Sequence, residues 1–391
     1  MSEWKKVKFL DLFSEPTKNG IYKSKEFHGR GAKIINMGEV FAYSFIGNQE
    51  MSRVEMNDKE RKSFMVKNGD LLFARRSLVE SGAGKCAIAN GITEETTFES
   101  SIIRVRLNEN NAIPLFYMYW MRSLSGRIAI NGIVNGVNVK GIRATDLQNI
   151  EVVLPPLPTQ KRIATILSRY DSLIENYQKQ IKLLEEAAQR LYKEWFVDLH
   201  FPGHENTKII DGVPEGWEKK PVDSIYSIKY GKNLSTKLIS ENGAFPVYGA
   251  NGVIGYYDKA NCNEQVVLIT SRGNGSGDVL MTYHKNAFIT NNSFIVSPLE
   301  DYSYCQLPFT YQFLKNANFR AVRTGAAQPQ LTNQSIHTVD VVLPSKDIII
   351  DYCDKVSYSN KKIINLRNQI RLLTEARDRL LPKLMSGEIA V

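Results

Sequence analysis

Val152-Val153-Leu154-Pro155-Pro156-Leu157-Pro158-Thr159-Gln160-Lys161-Arg162-Ile163 decides how this chain is organised. It leads from an apolar, strand-like end through three prolines into a long helical pattern. Its first four residues return as Val341-Val342-Leu343-Pro344, at an offset of 189. The same offset aligns Ile181-Lys182-Leu183-Leu184-Glu185-Glu186-Ala187 with Ile370-Arg371-Leu372-Leu373-Thr374-Glu375-Ala376, and Arg190-Leu191 with Arg379-Leu380. A gapless match over so long a segment marks an internal repeat.

After the junction, Leu167, Tyr170, Ile174, Tyr177, Ile181, Leu184, Ala188, Leu191 and Trp195 follow Ile163 in steps of four and three. That spacing is a heptad seam. The second copy runs Tyr352, Val356, Ser359, Ile363, Leu366, Ile370, Leu373, Arg377, Leu380, Leu384, interrupted only by Ser359 and Arg377. The prolines bar an earlier helix start, and Thr159 is the expected N-cap. Pro202-Gly203 and Ser386-Gly387 close the two copies. A helix from Thr159 to Val197 would be about 58 Å long. Two long, narrow stripes are expected to pack on each other as a coiled coil within the chain, rather than each on its own globular part.

Upstream of each helix lies a strand-rich globular region. Trp4-Lys5-Lys6 resembles Trp217-Glu218-Lys219 at the larger offset of 213, so the first copy is longer by 24. Leu71-Leu72-Phe73-Ala74-Arg75-Arg76 resembles Val267-Leu268-Ile269-Thr270-Ser271-Arg272. The boundaries read from these marks are 1–155, 156–200, 201–344 and 345–391. The 391 residues, 43% apolar, suffice for several cores. No apolar run reaches a membrane span, and no signal-peptide pattern opens the sequence, so a cytoplasmic protein is expected. The net charge of +9 points to an anionic partner. The second globular region is close to neutral, however, so local patches must carry any such contact. The four cysteines, at 86, 262, 305 and 353, lack metal or disulfide spacing and read as buried thiols.

Motifs for catalysis fail on inspection. Gly273-Asn274-Gly275-Ser276-Gly277 leads into a strand pattern, whereas a phosphate loop must open a helix. Gly84-Lys85 lacks the rest of a P-loop, and Asp211 with Glu218 sits in charged turns. His200 and His204 straddle Pro202-Gly203 and cannot share a helix face. No Asn-Pro-Pro-Tyr or Asp-Pro-Pro-Tyr tetrapeptide is present. No enzymatic activity and no cofactor are expected of this chain.

The junction at 152–163 resembles the specificity (S) subunits of type I restriction–modification enzymes. So do Pro246-Val247-Tyr248-Gly249-Ala250-Asn251-Gly252-Val253-Ile254-Gly255, Phe288-Ile289-Thr290-Asn291-Asn292 and Gln328-Pro329-Gln330-Leu331. The resemblance covers essentially the whole chain. It implies an α+β fold: two globular, mixed, strand-rich target recognition domains separated by two long antiparallel coiled-coil helices, with a pseudo-twofold internal repeat. It further implies that the two domains read a bipartite site on double-stranded DNA while the helices set its spacing. The partners would be methyltransferase (M) subunits, two of them, and a restriction (R) subunit. Three readings from other classes stand beside it: a nucleic-acid-binding scaffold outside restriction–modification, a coiled-coil adaptor whose heads bind protein, and an enzyme with an unrecognised site, against which the missing motifs speak.

Base readers need planar donors on loops, and phosphate readers need charge. The candidates are Arg30, Arg75, Arg76, Lys85, Lys140 and Arg143 in the first head. In the second they are Lys232, Lys237, Arg272, Asn274, Lys285 and Arg323. Arg76 and Arg272 lead, because each ends a matching apolar run. Trp195-Phe196 either docks a partner subunit or caps the coiled coil internally.

Overall fold

The structure is a computed structural model and describes residues 4–325 and 328–391. The chain divides into two compact units. Unit 1 is Met1–Ile174 with Arg371–Val391, and unit 2 is Glu175–Ile370. Each unit therefore holds one head together with part of both long helices.

The first long helix runs Leu157–Tyr192 and ends in a π turn, Lys193–Val197. It starts ahead of the expected Thr159. Pro158 falls in the first turn, where a missing N–H costs nothing. The second runs Lys346–Met385, and Gly387 follows at φ 73°. Within unit 1, Ile163 and Leu167 share a core with Leu384 and Met385. Within unit 2, Ile181 meets Ile363 and Leu366, and the Tyr352 hydroxyl donates to the Ala188 carbonyl. In both units rising numbers on one helix meet falling numbers on the other, so the pairing is antiparallel. The seam is shared, however. Its ends enter the head cores, and helix-on-helix contact is concentrated around Ile181 and Leu366.

Arg377 breaks the apolar seam yet is mostly buried. Its Nη1 lies 2.5 Å from Asp171 Oδ1, and the Tyr119 hydroxyl donates to the other oxygen of the same carboxylate at 2.5 Å. Unit 2 has a parallel device. Arg367 donates to Glu185 at 2.9 Å, and its guanidinium sits 3.6 Å from the ring centre of Tyr283, whose hydroxyl also points to Glu185. Tyr119 and Tyr283 come from the heads, so in each unit a tyrosine–carboxylate–arginine set joins the head to its helices.

The head of unit 1 has a five-stranded sheet, ordered Lys18–Asn19, Ile102–Val105, Leu71–Ala74, Cys86–Ala89, Phe45–Ile46. Leu71–Ala74 is buried at all four positions, as a central strand should be. A three-stranded sheet, Arg53–Val54, His28–Ile35, Thr96–Phe98, lies in the same unit. The head of unit 2 has a four-stranded sheet around Ser293–Pro298 and Val267–Thr270, and a three-stranded one around Phe245–Gly249. Each head begins and finishes on one two-stranded ladder: Lys5–Lys8 with Glu151–Leu154, and Glu218–Pro221 with Asp340–Leu343.

Trp195 and Phe196 were candidates for docking a partner. Trp195 is 5% exposed, with its ring 6.1 Å from Tyr352. Phe196 lies 6.0 Å from Trp217 and 5.4 Å from Phe309. Both sit in or against the core of unit 2, so internal capping accounts for them and little of Trp195 is left to meet a partner.

Candidate nucleic-acid interface

Both heads build the same small feature beside their leading arginine. In unit 1, Arg76–Ser77 and Lys140–Gly141 form an antiparallel ribbon, with Arg76 opposite Gly141 and Lys140 opposite Ser77. Gly141 leaves room: a Cβ there would lie 2.9 Å from the Arg75 carbonyl oxygen. Asn135 and Gly141 exchange two backbone hydrogen bonds, 2.9 and 2.8 Å, and so close a tight loop over residues 136–140. Gly136 permits the turn, at φ 107°.

Unit 2 repeats this bond for bond. Arg272 bridges Gln330, and Thr324 and Gln330 exchange two bonds of 2.9 Å. Gly325, at φ 85°, stands where Gly136 does. The Leu331 N–H donates to the Ser271 carbonyl at 2.7 Å, as Ile142 does to Arg75 at 3.0 Å. Ile142 and Leu331 are both buried beneath their ribbons. The closing pairs keep the offset of 189 that relates the long helices.

Other positions locate the extra length of the first head. Gly20 and Gly231 correspond, because each lies against a carbonyl that a Cβ would strike, at 2.2 and 2.3 Å. Their followers, Ile21 and Lys232, make matching parallel bridges to Glu99 and Thr290. The interval from Gly20 to Arg76 is markedly longer than that from Gly231 to Arg272. It holds the helix Asp58–Phe64. The rest of the insertion is shared between the segments on either side, and the ribbon is unaltered by it.

The twelve candidates separate on this geometry. Arg75, Arg76, Lys140 and Arg143 meet at the unit 1 ribbon. Arg76 and Arg143 are exposed, while Arg75 and Lys140 are half-buried. Among the described residues none of the four is in a salt bridge with a carboxylate. In unit 2, Arg272, Asn274 and Arg323 meet at the corresponding place. Arg323 donates to the Arg320 carbonyl at 3.0 Å and reaches the Asn274 carbonyl at 3.5 Å. Lys232 is exposed one step away, its carbonyl accepting from Asn291, whose own carbonyl accepts from Ser271 Oγ. Lys237 and Lys285 are exposed on separate turns.

Two candidates have internal roles instead. The Lys85 Nζ donates to the Phe41 carbonyl at 2.6 Å. Burial, with the charges of Arg122 and Arg127, pushes its ammonium below the usual lysine range. Arg30 lies on another sheet, and its Nε and Nη2 donate to the two carboxylate oxygens of Glu55, at 2.6 and 3.1 Å. The sequence reading also missed two residues at the unit 2 ribbon. Gln330 offers an exposed amide on the bridge itself, and exposed Arg320 pairs with Asp278 at 2.5 Å. The offset of 189, carried upstream from Val152 to Gly136, is the signal that finds this place.

A major groove admits a two-stranded ribbon, and exposed guanidinium and amide groups are its readers. An unpaired cation on a ribbon keeps its hydrogen bonds free for phosphate or guanine.

Comparison with known proteins places the chain in a family. A family model described as type I restriction modification DNA specificity domain matches residues 1–186 and again 214–371. The type I restriction enzyme MjaIX specificity subunit of Methanocaldococcus jannaschii is 26% identical, over 94% of this chain and 89% of that protein. The HindI specificity subunit of Haemophilus influenzae is 20% identical across the full length of both. The crystal structure of a type I S subunit from M. genitalium superposes with a TM-score of 0.58 at 19% identity, covering 97% of this chain and 96% of that one. With two copies of the domain over most of its length, the chain belongs to the type I restriction–modification DNA specificity family.

Proposed function

We propose that this chain is the DNA-reading subunit of a type I restriction–modification complex and that each head reads one half of a bipartite site. The observation that carries this is the duplicated ribbon. The same backbone frame places Arg76 in one unit and Arg272 in the other, each exposed beside a closed loop. The two frames carry different side chains, as two unlike half-sites require. The antiparallel helices act as the spacer. One turn of DNA is about 34 Å, within the reach of a helix of 36 residues. Joining two modest half-site affinities through a stiff spacer gives one selective binder by effective concentration.

In this reading the chain supplies address and no catalysis. Two methyltransferase subunits dock along the helices and modify the site, and a restriction subunit completes the assembly. Flipping a base into a methyltransferase costs a few kcal/mol of unstacking, which tight placement by this subunit offsets in part.

The test is methylation mapping. The chain is expressed with its methyltransferase in a host free of DNA methylation, and modified adenines are read by single-molecule sequencing. A two-part motif with an unspecified spacer is the expected result. A stable complex that marks no such motif would overturn the reading in favour of a scaffold.

A further inference from the structure

The unit 1 ribbon ends in apolar side chains that the protein leaves in water. Val137 is 91% exposed, Leu78 85%, Val79 60% and Val139 49%. Singly, such residues are ordinary on a surface. Here they share one place. Lys140 lies opposite Ser77, so Val139 and Leu78 leave the same open end of the ribbon. Val137 and Val139 both lie in the bend that the Asn135–Gly141 pair closes. The loop is tight, since a Cβ on Gly136 would come within 2.1 Å of the Val139 carbonyl oxygen. The close approach restricts the backbone that carries the valines, and a valine side chain has few rotamers to lose.

By the register Arg76 and Lys140 stand next to this tip, Arg75 and Arg143 lie toward the other end of the ribbon, and Glu80 follows Val79. An apolar tip with cations along the ribbon behind it suits a ligand that is polyanionic outside and offers apolar groups within. DNA is the ligand of this kind that the proposed function already brings to the ribbon. In its major groove the apolar group is the C5-methyl of thymine.

We infer that Leu78, Val137 and Val139 form a thymine-methyl contact in the half-site read by unit 1. This deepens the proposed function and rests on it. Arg76, nearby on the ribbon, fixes the register beside it. By sequence the second head has Ala326 and Gln328 where the first has Val137 and Val139, and Asn274 where it has Leu78, so the large apolar tip belongs to one half-site only.

The test uses the complex with its methyltransferase and duplexes carrying the mapped site. Each thymine is replaced in turn by deoxyuridine, which removes only the methyl group. At one position of the unit 1 half-site, affinity should fall about fourfold, the worth of one buried methyl. The variants V137S, V139S and L78S should bind the parent duplex at that weaker level and show no further loss with deoxyuridine. All three positions are solvent-facing, so their unfolding midpoints should match the parent protein. The inference is overturned if the parent complex ignores every replacement in that half-site. It is equally overturned if the serine variants keep the full methyl dependence, or if the half-site holds no thymine. A complex that marks no bipartite site at all would instead defeat the reading underneath.

Discussion

Unit 1 and unit 2 solve one problem with different residues. Each joins its head to the helix pair through a tyrosine, a carboxylate and an arginine, yet these occupy positions unrelated by the internal repeat. In unit 1 the ion pair is deep, with Arg377 at 17% and Asp171 at 10% side-chain exposure. In unit 2 Arg367 and Glu185 are 36% and 43% exposed, and a ring face shares the load. The ribbons show the reverse pattern, with corresponding positions and a nearly identical backbone but unlike side chains. Support can be rebuilt anywhere that charge and burial balance. Reading demands a fixed frame with variable contents.

The largest expected effect breaks the first half of that comparison. Arg377→Ala leaves the Asp171 charge buried without its cation, with only the Tyr119 hydroxyl still donating to it, which costs about 3–5 kcal/mol. Arg367→Ala removes a half-exposed pair worth no more than about 1 kcal/mol and a ring contact worth about 0.5–2 kcal/mol, a smaller loss. Urea unfolding of the two variants should show this inequality. Equal losses would mean that exposure does not govern the locks.

Gly136→Val comes next. It puts a branched side chain at φ 107° and drives its Cβ onto the Val139 carbonyl. The strain is about 1–3 kcal/mol, released by opening the loop. Methylation should then lose its dependence on the first half-site while the second remains specified. Loss at both halves would show that the frames are not independent.

Arg76→Ala and Arg272→Ala sharpen the contrast. Each should relax one half-site by about 1–3 kcal/mol of discrimination and leave the other intact. Competition binding with single-base variants of each half-site measures it. A uniform loss over all sequences would recast both arginines as phosphate contacts. Arg30→Ala should do least, since Glu55 already holds that guanidinium. Its effect on DNA affinity should stay within about twofold.

The helices were legible because a heptad seam is periodic and survives repetition. Their division between two heads was not, because a seam does not say where head residues displace the opposite helix. Arg377 looked like a flaw in the stripe. Asp171, one position beyond Tyr170, is its answer, and no spacing rule within one helix reveals a partner on another. Among the site candidates, apolar runs ending in arginine led to Arg76 and Arg272, because a central strand must finish at a sheet edge. Lys85 misled for a related reason. A lysine beside a glycine turn reads as exposed, but its stem can pass beneath Phe41. Sequence gives charge, and only the tertiary fold decides which charges face water.

The antiparallel helix pair also orders events in time. The core of unit 1 contains Leu384 and Met385 beside Phe116 and Leu167. During synthesis the first head emerges early, but its last core side chains leave the ribosome after all of unit 2. The N-terminal domain is therefore the last to be completed. Its nascent form must wait, with apolar surface uncovered, while the whole of the second unit is made. A chain shortened at its C-terminal end would fail first in the head that was made first.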